Sequence, residues 1–317
     1  MSNDQVVTHN KTTIWKIVCL FFLFYINTST VYSDTLVVEP DMGRTPLYTA
    51  ITRAHRSIHI VMYGLTDSSL LKKLIEQKQR GVEVKIILEK NPYHAENENK
   101  KAMRVLTENG IRWHTMPPSF DYTHQKTLII DNRIALVMTF NFTRSTFQQA
   151  RNFGIILDNP RWVHDIESAF EADWQKQVLP PHAWQLLYSP NDSRAKLIQT
   201  IANAKENIML YAQTISDDQI VRALGHAADL GVHIEILTSS HPAPRYARFF
   251  KRKKIVIHGS KQHYIHAKVW IIDHRKAIIG SINLTETSLD HNRELAVITD
   301  NANIIRDLVA IFNHDLL

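Results

Sequence analysis

Apolar residues recur along this chain with two periods, and the two alternate. Short β-branched runs, Ile58-His-Ile-Val-Met-Tyr63, Val82 to Leu88, Ile208-Met-Leu-Tyr211 and Val232 to Leu237, read as buried strands. Amphipathic stretches of helical spacing precede and separate them. Two strand pairs with short turns follow, Thr127 to Asp131 with Ile134 to Asn141, and Val269 to Asp273 with Ala277 to Asn283. Asp131-Asn132 and Asp273-His274 supply the turn chemistry. Helices alternating with strands predict an α/β fold. A helix running from Trp162 through Trp174 cannot continue past Pro180-Pro181, which places a boundary near residue 187.

The alternation is written twice. Ile51-Thr-Arg-Ala54-His-Arg-Ser-Ile58 returns as Ile201-Ala-Asn-Ala204-Lys-Glu-Asn-Ile208, Thr66-Asp67 as Ser216-Asp217, and Gly81-Val-Glu-Val84 as Gly231-Val-His-Ile234, all at an offset of 150. Further on, His124-Gln-Lys126 returns as His266-Ala-Lys268, Asp131 as Asp273, Thr139-Phe-Asn141 as Ser281-Ile-Asn283, and Asn152 as Glu294, all at an offset of 142. The first copy carries eight extra residues between its strands. The predicted domains are 34–186 and 187–317.

The repeated polar residues interrupt apolar strands. Residues two apart on a strand share a face, so His124 with Lys126, Thr139 with Asn141, His266 with Lys268 and Ser281 with Asn283 are polar pairs each projecting one way. Burying such groups without partners costs about 1–3 kcal/mol apiece, so an anion is expected among them. Pseudo-twofold packing brings both sets into one cleft that fits a phosphodiester. There the lysines and asparagine amides hold the non-bridging oxygens, with the Thr139 and Ser281 hydroxyls in support. One neutral imidazole attacks phosphorus while the other, protonated, delivers a proton to the departing oxygen.

Composition narrows the partners and the compartment. With 317 residues, 44% of them hydrophobic, the chain can bury a large core. A net charge of +6 favours anionic partners such as phospholipid headgroups or nucleic acid. Lys11 and Lys16 precede an apolar run from Ile17 to Ile26, too short to span a bilayer, and Val31-Tyr32-Ser33 offers a cleavage site. Residues 1–33 are therefore expected to be a signal peptide, and the protein to be periplasmic or secreted. Cys19, the one cysteine, leaves with them, which removes thiol nucleophiles and thiolate metal sites.

His124-x-Lys126-x4-Asp131 with Met138-Thr-Phe-Asn141, and His266-x-Lys268-x4-Asp273 with Gly280-Ser-Ile-Asn283, resemble the twice-repeated HKD signature of the phospholipase D superfamily. The likeness covers essentially all of the chain after residue 33. It implies two duplicated α-β-α sandwich halves about a pseudo-twofold with one shared active site. It also implies a two-step reaction without metal or other cofactor, through a covalent phosphohistidine, and one chain carrying both motifs suffices as a monomer. His124 would be the nucleophile and His266 the general acid. A carboxylate downstream of a motif orients a histidine in that family, and Glu294 fits. Asn152 stands at the equivalent place in the first copy and departs from the pattern. If Glu294 reaches His124, the asymmetry favours His124 as nucleophile.

Other residues carry two readings. Asp131 and Asp273 sit in turns where aspartate caps its own backbone. Tyr122 and Tyr264, two residues before each histidine, are placed by strand parity on the active-site face or in the core. The stretch from His241 to His263 holds Lys251, Arg252, Lys253 and Lys254 with Tyr246, Phe249 and Phe250 interleaved, a solvated loop or a surface that recruits an anionic lipid or polymer. Trp162, Trp174 and Trp184 read as packing residues. The substrate stays open among a phospholipid, hydrolysed or transphosphatidylated, a nucleic acid cut by an endonuclease, and, for an inactive descendant, a bound anion.

Overall fold

The structure, a computed structural model, describes residues 1, 34–93, 97–240 and 242–317. The expected leader, beyond Met1, and His241 lie outside the described residues. From residue 34 onward the chain belongs to one compact unit.

The first half runs β1 (Thr35–Glu39), α1 (Thr45–Thr52), β2 (Ser57–Met62), α2 (Ser68–Gln79), β3 (Glu83–Leu88), α3 (Lys100–Glu108), β4 (Arg112–His114), β5 (Thr127–Ile130), β6 (Ile134–Met138), β7 (Ala150–Leu157) and α4 (Pro160–Trp174). The second runs β8 (Leu186–Ser189), α5 (Ser193–Ala202), β9 (Asn207–Ala212), α6 (Asp218–Asp229), β10 (His233–Thr238), α7 (Pro244–Arg252), β11 (Val256–Gly259), β12 (Tyr264–Ile265), β13 (Lys268–Ile272), β14 (Lys276–Gly280), α8 (Glu286–Asp290), β15 (Glu294–Thr299) and α9 (Ala302–Asp315). Both sheets have the same order, β1-β7-β6-β5-β2-β3-β4 and β8-β15-β14-β13-β9-β10-β11. The α/β class and the duplication are as the sequence predicts.

The repeated residues explain the repeated local structure. Asp67 caps α2 by accepting from the Ser69 and Leu70 amides, and Asp217 caps α6 through Gln219 and Ile220. The hairpins β5–β6 and β13–β14 turn through Asp131-Asn132 and Asp273-His274, each with both residues at positive φ. The Asp131 carboxylate accepts backbone N–H groups from His55, Arg56 and Ser57, and Asp273 accepts from Lys205, Glu206 and Asn207. The cap expected within the turn itself is therefore a clamp on the entry to the neighbouring strand, because the tight turn aims the carboxylate across the sheet end. Those donors hold both carboxyl groups below the usual range despite the upward push of burial.

Each sheet has an outer core of its own, Leu47, Ile60 and Leu74 in the first and Leu197, Leu210 and Leu224 in the second. A third core is shared. In it, α4 (Val163, Ile166, Phe170) and α9 (Ile304, Leu308, Phe312) pack with Phe153 of the first sheet and Tyr211 of the second. Trp162 and Trp174 pack at its edge, as expected of packing residues, whereas Trp184 is 43% exposed. Among the described residues, no helix is long and apolar enough to cross a membrane.

Candidate active site

The segments that carry the two histidines leave their own sheets and pair with the opposite half. β12, just before His266, lies parallel to β7, with Ile265 opposite Arg151, and the His266 amide donates to the Arg151 carbonyl. Reciprocally, Thr123 bridges Arg293, whose carbonyl accepts from the His124 and Gln125 amides at 3.0 and 2.8 Å. The residue after each of these arginines then meets the imported histidine. His124 Nδ1 donates to both Glu294 oxygens, at 2.9 and 2.8 Å, and His266 Nδ1 donates to Asn152 Oδ1 at 2.8 Å. Glu294 reaches His124, as the sequence left conditional.

Side chains from both halves steady this pair. Glu294 is fully buried and accepts from Ser288 Oγ and weakly from Asn292 Nδ2. Lys126 Nζ bonds the His124 carbonyl and lies 5.1 Å from the Tyr63 ring centre. Lys268 Nζ bonds the His266 carbonyl and donates to Gln213 Oε1 at 2.6 Å. Asn141 Oδ1 accepts the Gly64 amide, while the buried Asn283 Oδ1 has no hydrogen-bond partner.

Burial dominates the electrostatics. It holds the His124 imidazole down at about 4, against the upward pull of Glu294, and brings Lys126 down to about 7. Burial also lowers His266 and Lys268 strongly, and the charges of Lys268, Lys126 and His124 add to the effect on His266. Glu294, raised by burial, is nevertheless held below the usual range by His124 and Lys126. Each half thus feels the other's cations in one cleft. A bound anion would relieve their repulsion and raise all four groups.

Several expected site residues have other duties. Thr139 and Ser281 are fully buried with their hydroxyls engaged inside the protein: the Thr139 hydroxyl accepts the Phe153 amide and donates to Asn152 Oδ1 at 2.9 Å, and the Ser281 hydroxyl bonds the Leu295 backbone and helps hold Glu294 ionised. Their amides still bond the neighbouring strand, at the Phe153 and Leu295 carbonyls, and their side chains turn back onto that same strand. Asp131 and Asp273 serve strand entry, outside the cleft. Tyr122 packs edge-on to Tyr63, which packs edge-on to His124, while Tyr264 is half exposed and meets Gln213. Lys251, Arg252, Lys253 and Lys254 lie at the end of α7, where Lys253 pairs with Asp229 at the end of α6. That is the far end of β10 from His124 and His266, since α6 and α7 both run back from the cleft. Tyr246 and Phe250 face the core, spaced as one stripe of a helix, and are unavailable as a recruiting surface.

Four buried residues escaped sequence reasoning. Arg151 pairs with Asp315 at 2.8 Å and Arg293 with Asp173 at 2.9 Å, each arginine reaching the last turn of the other half's helix. The offset of 142 relates both members of these pairs and was the available signal. Among the described residues, His59, Glu167 and Glu171 hold possible metal-ligand atoms within 4.8 Å of one another. They lie on β2 and α4 and already pair internally, His59 with Glu167 at 2.6 Å and Glu171 with Lys85 at 2.8 Å. A cavity of about 220 Å³ is lined by Thr214, Ile215, Ser216, Ile236, Thr238, Ser240, Pro242, Ala243 and Ile257. In the first half the buried Asn99 fills the equivalent strand ends, bonding Leu65 N and the Tyr63 and Glu89 carbonyls.

A family model described as "Cardiolipin synthase, PLD-like domain" matches residues 47–174 and 197–316. The chain is similar to the minor cardiolipin synthase of Bacillus subtilis, 25% identical over 308 residues that cover 84% of this chain and 77% of that protein. It spans 61–77% of the length of the curated cardiolipin synthases it matches. Among solved structures it is similar to polyphosphate kinase from Porphyromonas gingivalis, with a TM-score of 0.71, 20% identity, and coverage of 90% of this chain and 50% of that one. Phosphatidylserine synthase of Haemophilus influenzae gives a TM-score of 0.68 at 11% identity, covering 89% and 85%. At these identities the two structures speak to the fold alone.

Proposed function

Because this chain belongs to the phospholipase D-like family and is thus a phosphodiester-processing enzyme, we propose that it acts on phospholipids, passing a phosphatidyl group to an alcohol or to water. The observation that carries the mechanism is the crossed pairing of His124 with Glu294 and of His266 with Asn152 between two buried lysines. With Nδ1–H held by Glu294, His124 Nε2 keeps its lone pair and attacks phosphorus. The P–O bond breaks as the leaving oxygen takes a proton from His266 Nε2. An acceptor O–H then returns a proton to His266 while its oxygen displaces His124 from phosphorus.

Glu294 favours His124 for the covalent role, since the N–P bond leaves that imidazole cationic beside a carboxylate. An amide acceptor suits the acid, because it holds the proton of His266 less tightly. Lys126, Lys268, Asn141 and Asn283 are assigned to the non-bridging oxygens. The family match supports a phospholipid over a nucleic acid. Export through residues 1–33 belongs to the same proposal.

The test uses purified protein in EDTA, with phosphatidylglycerol or phosphatidylcholine vesicles containing ethanol, and separately with DNA. Phosphatidylethanol or a bisphosphatidyl product is expected; DNA fragments alone would replace the phospholipid reading with the nuclease. His124→Ala should abolish turnover of every substrate. His266→Ala should lose alkyl-leaving-group substrates but keep a burst on a p-nitrophenyl phosphodiester, whose leaving group needs no acid. The opposite split would exchange the two roles.

A further inference from the structure

The two lysines of the cleft stand against different neighbours. β2 ends at Met62 and β9 at Ala212, and the sequence offset of 150 makes the residues that follow them, Tyr63 and Gln213, counterparts. In the first half Tyr63 turns its ring to Lys126, and its hydroxyl accepts the Tyr93 amide at 2.6 Å. In the second half Lys268 stands directly opposite Ala212 on β9, and its ammonium meets a side-chain oxygen instead, Gln213 Oε1 at 2.6 Å. Gln213 lies outside both repeated motifs, and its counterpart is an aromatic residue, so the repeat does not single it out.

Lys268 is buried, and an ammonium carries donors only. One N–H goes to the His266 carbonyl and one to Gln213 Oε1. His266 Nδ1, 3.5 Å away, is itself a donor to Asn152 and cannot accept the third. Two fixed acceptors set the direction of the N–H group that remains. Gln213 is steadied in turn, since its Nε2 donates to the Tyr264 hydroxyl at 3.3 Å, and Tyr264 belongs to β12, the strand that delivers His266. A half-turn of the amide would set its NH2 group against the ammonium, donor against donor. Burial and the charge of Lys126 both work against the charge on Lys268, whereas an oxygen that accepts from the ammonium favours it.

We propose that Gln213 is a positioning residue for Lys268: it holds the ammonium between its own Oε1 and the His266 carbonyl, so that the third N–H is kept for a phosphate oxygen. The inference rests on the reading that the lysines hold the phosphodiester.

Two variants test it, through the pH profile of kcat/KM on a p-nitrophenyl phosphodiester. That leaving group needs no proton from His266, so the alkaline limb reports the lysines. Gln213→Leu removes the acceptor and should lower kcat/KM by about tenfold to a hundredfold, the range of a hydrogen bond to a charged group. Its alkaline limb should move to lower pH by about one unit, because the charged form has lost its acceptor. Gln213→Glu keeps the oxygen and adds a negative charge, so its limb should lie at or above that of the parent enzyme. A loss of rate in Gln213→Leu with the limb unmoved is what a merely structural role gives, and would overturn the proposal, as would a downward displacement in Gln213→Glu. If Lys268→Ala keeps the parent kcat/KM, the underlying reading of the lysines fails; if it does not and Gln213→Leu matches the parent, only this inference fails.

Discussion

His124 rests its Nδ1 on a carboxylate and His266 on an amide, and beside them two buried lysines sit far from their ordinary protonation range. The pH profile follows from this. On the proposed roles, as pH falls through about 4, His124 takes a proton on its attacking nitrogen; as pH rises, His266, which burial lowers strongly, loses the proton it donates, and past about 7 Lys126 loses the charge assigned to hold phosphate. A bell-shaped kcat/KM is expected, its acid limb set by His124 near about 4 and its alkaline limb, set by His266 and the lysines, no higher than about 7, with the alkaline limb of kcat displaced upward because bound phosphodiester supports the cations. A profile flat from pH 4 to 9 would contradict the arrangement. His124, Lys126, His266, Lys268 and Glu294 were legible because each stands in a repeat. The bond from Thr139 to Asn152 was not, because it exists only across the sheet.

Among the elements, strands β2, β3, β5 and β6 and their counterparts β9, β10, β13 and β14 announce themselves by apolar runs at fixed offsets. β12, two residues long, has no period to read, although it is the strand that delivers His266 to the other half. The clamps at Asp131 and Asp273 make a prediction of stability and not of chemistry. Replacing Asp131 by Ala leaves three strand-entry amides without their charged acceptor and should cost about 2–3 kcal/mol in denaturant unfolding. Turnover per folded molecule should be unchanged. Because folding depresses both carboxyl pKa values, their contribution is complete above the unfolded value near ~3.9 and is lost as pH falls through the lower folded values. The Asp131→Ala protein should accordingly lose less stability on acidification than its parent. An equal acid response in both would sink this assignment.

At the scale of the molecule, the two halves are joined by the bonds that align the site: histidine amides on Arg293 and Arg151 carbonyls, and arginines on Asp173 and Asp315. Removing one member of such a buried ion pair costs about 3–5 kcal/mol, so Asp173→Ala should unfold at markedly lower temperature. Its loss of activity on heating should track its loss of tertiary signal, and a folded but inactive plateau would show that the halves part before they unfold. The duplication could be read from the sequence, whereas the crossing could not, since two repeats packed side by side or exchanged look alike in one dimension.

Duplicated segments are ordinarily free to drift apart, each answering to its own core. Here a change at position 152 is felt by a histidine 114 residues further on, and a change at 294 by one 170 residues earlier. Descendants of this chain can alter either half only in step with the other. The difference between Asn152 and Glu294, each bonded to the other half's histidine, has the form of one such step, kept in a single inheritance.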